Sequence, residues 1–307
     1  MEFLPNEIEN IIKDYVIFKP NDDEELQEAV NLWCDDKEEA LSRYGHISIW
    51  DTSLITDMGG IFEAQKNFND DINNWDVSSV TNMDSMFDEA SSFNQPLDSW
   101  DVSLVTDMSF MFRLAPSFNQ SLDSWDVSSV TNMESIFQQA ESFNQPLNSW
   151  NVSSVTDMEG MFLGARSFNQ PLNRWDVSSV TNMCYMFQEA SSFNQSLNSW
   201  DVSSVINTHY MFCEASLFNQ PLNSWDVSSV TNMGEMFFRA ASFNQPLHSW
   251  NVSSVIYMDS MFSEAVSFNQ PLNSWDLSSI RHINHMLSDA TSFDKNNALW
   301  YDFIINK

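Results

Sequence analysis

The sequence predicts an α/β repeat solenoid, and three observations carry that prediction. Tryptophan recurs at Trp50, Trp75, Trp100, Trp125, Trp150, Trp175, Trp200, Trp225, Trp250, Trp275 and Trp300, always 25 residues apart and without insertion; only Trp33 lies off this lattice. Between the tryptophans runs a near-constant consensus, W-D-V-S-S-V-T-N-M-x-x-M-F-x-x-A-x-S-F-N-Q-P-L-N-S. Both ends of the chain depart from it, as the ends of a stack must, because a terminal unit has a neighbour on one side only.

A unit of 25 residues falls in the range of leucine-rich-type repeats. The reading is therefore about ten such units, each with a short helix and a short parallel strand. The helix is read from Val80, Met83, Met86, Phe87 and Ala90, whose spacings of three and four put them on one buried face. Ser78 and Ser79 stand where an N-cap is needed, and Asp76 near the positive end of that helix dipole. The strand is read from the alternation of Leu97, Trp100 and Val102 after the Asn-Gln-Pro turn, centred on either Leu97 or Trp100. Residues 22–44 read as one or two amphipathic helices with Leu26, Ala29, Val30 and Trp33 on one face. The chain thus divides into a helical N-terminal cap (1–45), the solenoid (46–293) and a C-terminal cap (294–307), where LWYDFII is expected to close the stack as a strand.

Composition narrows the function classes. Of 307 residues, 43 are acidic and 12 basic, for a formal net charge of −31, while 43 % are hydrophobic and 14 % aromatic. So many apolar residues exclude a disordered acidic tail. The charge argues against nucleic acid, whose phosphates it would repel, and against docking on an anionic membrane. No segment has the run of about 18 apolar residues a membrane span needs. The N-terminus lacks the basic region of a secretory signal, and three scattered cysteines, Cys34, Cys184 and Cys213, make no disulfide framework, so a cytoplasmic setting is expected. No phosphate loop, nucleophile elbow or Cys-x-x-Cys pair occurs, and no enzyme or cofactor is expected.

Two sets of residues are candidates for more than core packing. The first is the row Asp76, Asp101, Asp126, Asp176, Asp201, Asp226 and Asp276, with Asp51 before it and Asn151 and Asn251 in the gaps. Stacked carboxylates repel, so either cations or backbone N–H groups must compensate. Asparagine at two rungs favours the second, because an Asx-turn acceptor works equally well without charge. The second set lies where the repeats disagree: Phe110, Arg113, Leu114, Leu163, Arg166, Tyr185, Tyr210, Phe238 and Arg239. Arginine and aromatic residues on an acidic, polar face have the composition of a binding hot spot, although drift of unconstrained surface positions scatters residues in the same way. His282 and His285 share a face if the last unit is helical, but two imidazoles alone do not make a metal site.

The unit FNQPLNSWDVSSVTNMxxMF closely resembles the repeats of the BspA-like leucine-rich-repeat surface proteins over about residues 46–293. That resemblance implies a non-enzymatic repeat scaffold, often secreted and adhesive in bacteria. The segment LPNEIENIIKDYV is similar to the opening helix of an F-box, which implies that residues 3–18 would dock a Skp-type adaptor. The expected function is a non-catalytic scaffold that binds another protein through the variable positions. The alternatives are an F-box-type substrate receptor of a ubiquitin ligase and a secreted or surface adhesin that binds Ca²⁺ along its acidic row.

Overall fold

The computed structural model describes residues 17–301. Two helices open it, α1 (Asp23–Asp35) and α2 (Lys37–Tyr44). Each begins at an aspartate, Asp22 or Asp36, whose carboxylate accepts the N–H of the residue three further on, Glu25 at 2.9 Å and Glu39 at 3.0 Å. Such caps satisfy donors that the first helical turn cannot pair internally. Leu26, Ala29, Val30 and Trp33 form the buried face of α1, as their spacing implies. Short 3₁₀ turns follow at Ile47–Ile49 and Lys295–Ala298.

The α/β solenoid does not form. Among the described residues no repeat contains an α-helix, and no extended strand is present; consecutive repeats meet instead at single parallel bridges, Asp57 to Asn82, Asn82 to Asp107, and so on to His282. The leucine-rich-repeat reading falls with it. The segment expected to be helical is a run of turns. In the repeat of Trp75 the N–H groups of Met86, Asp88 and Ala90 donate to the carbonyls three residues back, at 3.3, 3.0 and 3.0 Å. The alternate N–H groups, of Met83, Ser85, Phe87 and Glu89, donate out of the repeat to carbonyls of the next one, at 2.8–3.0 Å. Ser85 and Glu89 have φ of 56° and 57°, and the equivalent residues of every repeat lie between 51° and 66°. A left-handed residue at every fourth position stops an α-helix from propagating. It also turns the peptide groups so that four N–H bonds per repeat point toward the C-terminal neighbour. Each such non-glycine residue costs on the order of 1 kcal/mol, which the inter-repeat bonds offset.

The helical spacing still reports correctly which residues face inward. The turns put Met83, Met86, Phe87 and Ala90 inside, while of the residues at the corners between them Asp84, Ser85 and Glu89 stay partly exposed and Asp88 is buried. The stretch expected to be a strand, Leu97 to Val102, has a turn bond from Trp100 N–H to Leu97 C=O at 3.2 Å, and the bridging residue is Asn82, within the segment assigned to the helix.

Side chains repeat the register of the backbone. Phe87 stacks on Phe112 at 5.5 Å and Phe93 on Phe118 at 6.0 Å within two continuous aromatic rows, and tryptophans form a third row with contacts such as Trp100 on Trp125 at 6.3 Å. From Trp75 to Trp300 each indole N–H reaches back along the stack to a backbone carbonyl, as Trp150 does with Leu122 at 2.9 Å, so the ring is buried without an orphaned donor. The asparagine after the second phenylalanine links repeats as well: Asn94 N–H donates to Asn69 Oδ1, and Asn119 N–H to Asn94 Oδ1, both at 2.9 Å.

Helix α1 closes the N-terminal end by standing in for a missing repeat. Elsewhere a threonine N–H donates backward, Thr81 to the Thr56 carbonyl at 2.9 Å. Thr56 has no repeat behind it, and the carboxylate of Asp23 accepts its N–H at 2.9 Å and that of Asp57 at 3.2 Å. At the other end Trp300 extends the indole pattern to Leu272 C=O at 2.9 Å, and Asp294 extends the asparagine row. The expected C-terminal strand lies mostly outside the described residues, as do residues 3–16 of the F-box-like leader.

Candidate functional site

The positions at which the repeats disagree are the corners of the turns. Each repeat has two corners, residues 84–85 and 88–89 in the repeat of Trp75, and the second residue of each corner carries the positive φ. Buried methionines, phenylalanine and alanine on either side fix the frame, so a corner can change without repacking the core. Phe110, Tyr185 and Tyr210 occupy the first corner of their repeats; Arg113, Leu114, Leu163, Phe238 and Arg239 occupy the second; Arg166 lies two residues beyond it. The fold therefore gathers the whole set along one edge of the stack.

The three arginines do not stand free on that edge. Arg113 meets Asp88 of the preceding repeat with two hydrogen bonds, one of them Nε to Oδ1 at 2.9 Å, and the Asp88 side chain is only 1 % exposed. That bond raises the guanidinium pKa above its ordinary value. Arg166 bridges Glu141 at 3.3 Å and Glu189 at 3.1 Å, in the repeats before and after its own. Arg239 does the same with Glu214 at 3.1 Å and Glu264 at 2.9 Å. These partners were not singled out from sequence, yet the signal was present: Asp88, Glu141, Glu214 and Glu264 each lie one repeat length from their arginine. Two of the arginines also cover a corner ring, Arg113 over Phe110 at 5.0 Å and Arg239 over Phe238 at 4.7 Å.

Tyr185 and Tyr210 stack on each other at 5.1 Å with 17° between the rings, and His209 sets its edge against Tyr210 at 4.1 Å. Both phenols are raised above their ordinary pKa, first by partial burial; Glu235 beside its hydroxyl raises Tyr210 further. Acidic corners continue toward the N-terminus, where burial and then Glu159, Asp157, Asp107 and Asp84 raise the Glu134 carboxyl.

The aspartate row lies elsewhere in the repeat. Each aspartate accepts the N–H of the serine two residues on: Asp76 from Ser78, Asp101 from Ser103, Asp201 from Ser203 and Asp276 from Ser278, all at 3.0–3.1 Å. Asn151 and Asn251 make the same bond at 3.2 Å. For Asp126, Asp176 and Asp226 the serine side chain, then its backbone, lowers the carboxyl pKa. This is an Asx-turn in which Oδ1 answers a backbone donor. No helix is present for it to cap.

Other candidates are not drawn together. His282 stacks on Tyr257 at 4.6 Å and lies 3.9 Å from Asp259, while His285 occupies a corner of its own, because the helix that would have aligned the two is absent. Among the described residues no three His, Cys, Asp or Glu side chains cluster as a metal site would require. The cysteines are free. Burial pushes the Cys34 thiol up to about 11 and those of Cys184 and Cys213 up to about 12, so all three stay protonated at neutral pH. No described helix is long and apolar enough to cross a membrane.

No curated protein matches the sequence. A family model does, described as Mycoplasma protein of unknown function, DUF285, and it matches three overlapping tandem spans, residues 36–148, 117–225 and 196–300. With nearly the whole repeat region accounted for by that one model, the chain belongs to the DUF285 family.

Proposed function

We propose that this chain is a non-catalytic scaffold that binds another protein through its turn corners, in a reducing compartment where its three thiols stay free. One observation carries the reading. The inward columns hardly change from repeat to repeat, whereas the corners carry serine, glycine, glutamate, arginine, phenylalanine or tyrosine on an unaltered backbone. A frame that presents variable side chains in a fixed register suits recognition. The resemblance to BspA-like surface proteins supports the same role and adds adhesion as a form it could take.

The experiment resets the corners. The chain with Leu163→Gln, Tyr185→Ser, Tyr210→Ser and Phe238→Gln carries at each position a residue that other repeats already hold there, so the fold has a precedent for every change. Capture of binding proteins from a cell extract by the unaltered chain, lost in this variant at an unchanged melting temperature, is the expected result. Equal capture by both would remove the corners as the site.

A further inference from the structure

The corner chemistry has a recurring composition: an aromatic ring, a guanidinium over it and a carboxylate holding the guanidinium. Phe110, Arg113 and Asp88 make one such set, and Phe238, Arg239 and Glu264 make another. The tyrosine pair has the ring and the carboxylate, Glu235 beside the Tyr210 hydroxyl, but no cation lies over either ring among the described residues. Toward the N-terminus the same corner is Gly160, so no side chain in that column continues the stack past Tyr185. The surroundings are negative, because Arg166 and Arg239 are each shared between two glutamates while Glu159 and Glu235 have no basic partner among the described residues.

We propose that Tyr185 and Tyr210 form the docking point for an arginine side chain of a basic polypeptide segment, which completes the set that the corners at Phe110 and Phe238 complete from within. Charge complementarity selects this occupant: a chain of net charge −31 attracts a basic segment, and π faces rimmed by carboxylates retain a planar cation. The inference rests on the corner-binding reading above and names its partner class.

The test uses a fluorescein-labelled (Gly-Arg)₅ peptide, its citrulline counterpart and the full chain, with binding followed by fluorescence anisotropy at physiological salt. Tyr185→Ser with Tyr210→Ser leaves the net charge unchanged and places at both corners the serine found at Ser85, Ser135 and Ser260. The expected result is at least about tenfold weaker binding of the arginine peptide to this variant, with weak binding of the citrulline peptide to either chain. Equal affinity for the two chains would reduce the attraction to general charge and overturn the proposal. Equal binding of arginine and citrulline peptides, or no binding of either, would overturn it too. If capture from extract depends on the corners while the arginine peptide ignores the tyrosines, the scaffold reading stands and this inference alone fails.

Discussion

Replacing Arg113 by methionine should cost far more stability than the same change at Arg166, although both arginines form ion pairs between repeats. The difference lies in what each leaves behind. Arg113 makes both of the side-chain hydrogen bonds to Asp88, whose side chain is 1 % exposed, while the arginine itself is 34 % exposed. Removing one partner of a buried pair costs about 3–5 kcal/mol, because the other charge remains buried and uncompensated. Water reaching the exposed third of the arginine site lowers this to about 2–3 kcal/mol. The partners of Arg166, Glu141 and Glu189, are 46 % and 32 % exposed and rehydrate readily, so Arg166→Met should cost no more than about 1 kcal/mol. Urea denaturation of both variants reads the difference. Adding Asp88→Ala to Arg113→Met removes the stranded charge and should recover most of the loss, which a double-mutant cycle reads as a coupling energy above about 1 kcal/mol. A cost below about 0.5 kcal/mol for Arg113→Met, or strictly additive effects in the cycle, would refute the account of a buried charge that depends on one guanidinium.

Three further outcomes follow from the same physics. Asp23→Ala removes the acceptor for the Thr56 and Asp57 N–H groups; it should cost about 1–3 kcal/mol and speed hydrogen exchange at those two amides first, with the central repeats still protected. Glu134 has a raised pKa, so its folded form binds protons more readily than its unfolded form and loses stability as pH rises; Glu134→Gln should raise the melting temperature at pH 7, and the gain should vanish below about pH 4. Asp126, Asp176 and Asp226 have lowered pKa values, so the stability they add is present at neutral pH and lost as pH falls through their folded values; Asn at all three should flatten the melting-temperature profile below about pH 4 relative to the unaltered chain.

The candidate site was legible in part. Repeat disagreement located the corners, because positions outside the core are free to vary, and Tyr185 and Tyr210 were placed side by side by their shared register. Arg113, Arg166 and Arg239 count in the sequence as part of a hot-spot composition, and the structure adds that each is held by acidic residues in adjoining repeats. Stacking turns an offset of one repeat length into a contact, for unlike residues such as Arg239 and Glu264 as much as for the like residues of each row.

The amino-acid order alone determines the unit length, the number of repeats, the buried columns and the face of α1 that packs inward, because burial depends on which residues are apolar and how often they recur. It does not determine the backbone path within a unit. Spacings of three and four bury Met83, Met86, Phe87 and Ala90 equally well on an α-helix or on successive turns. What separates the two is the left-handed conformation at Ser85 and Glu89, which neither serine nor glutamate announces. Tertiary structure made that choice: an N–H spent inside a helix cannot reach the next repeat, whereas each N–H aimed along the stack gains a partner from a neighbour that only the assembled fold supplies.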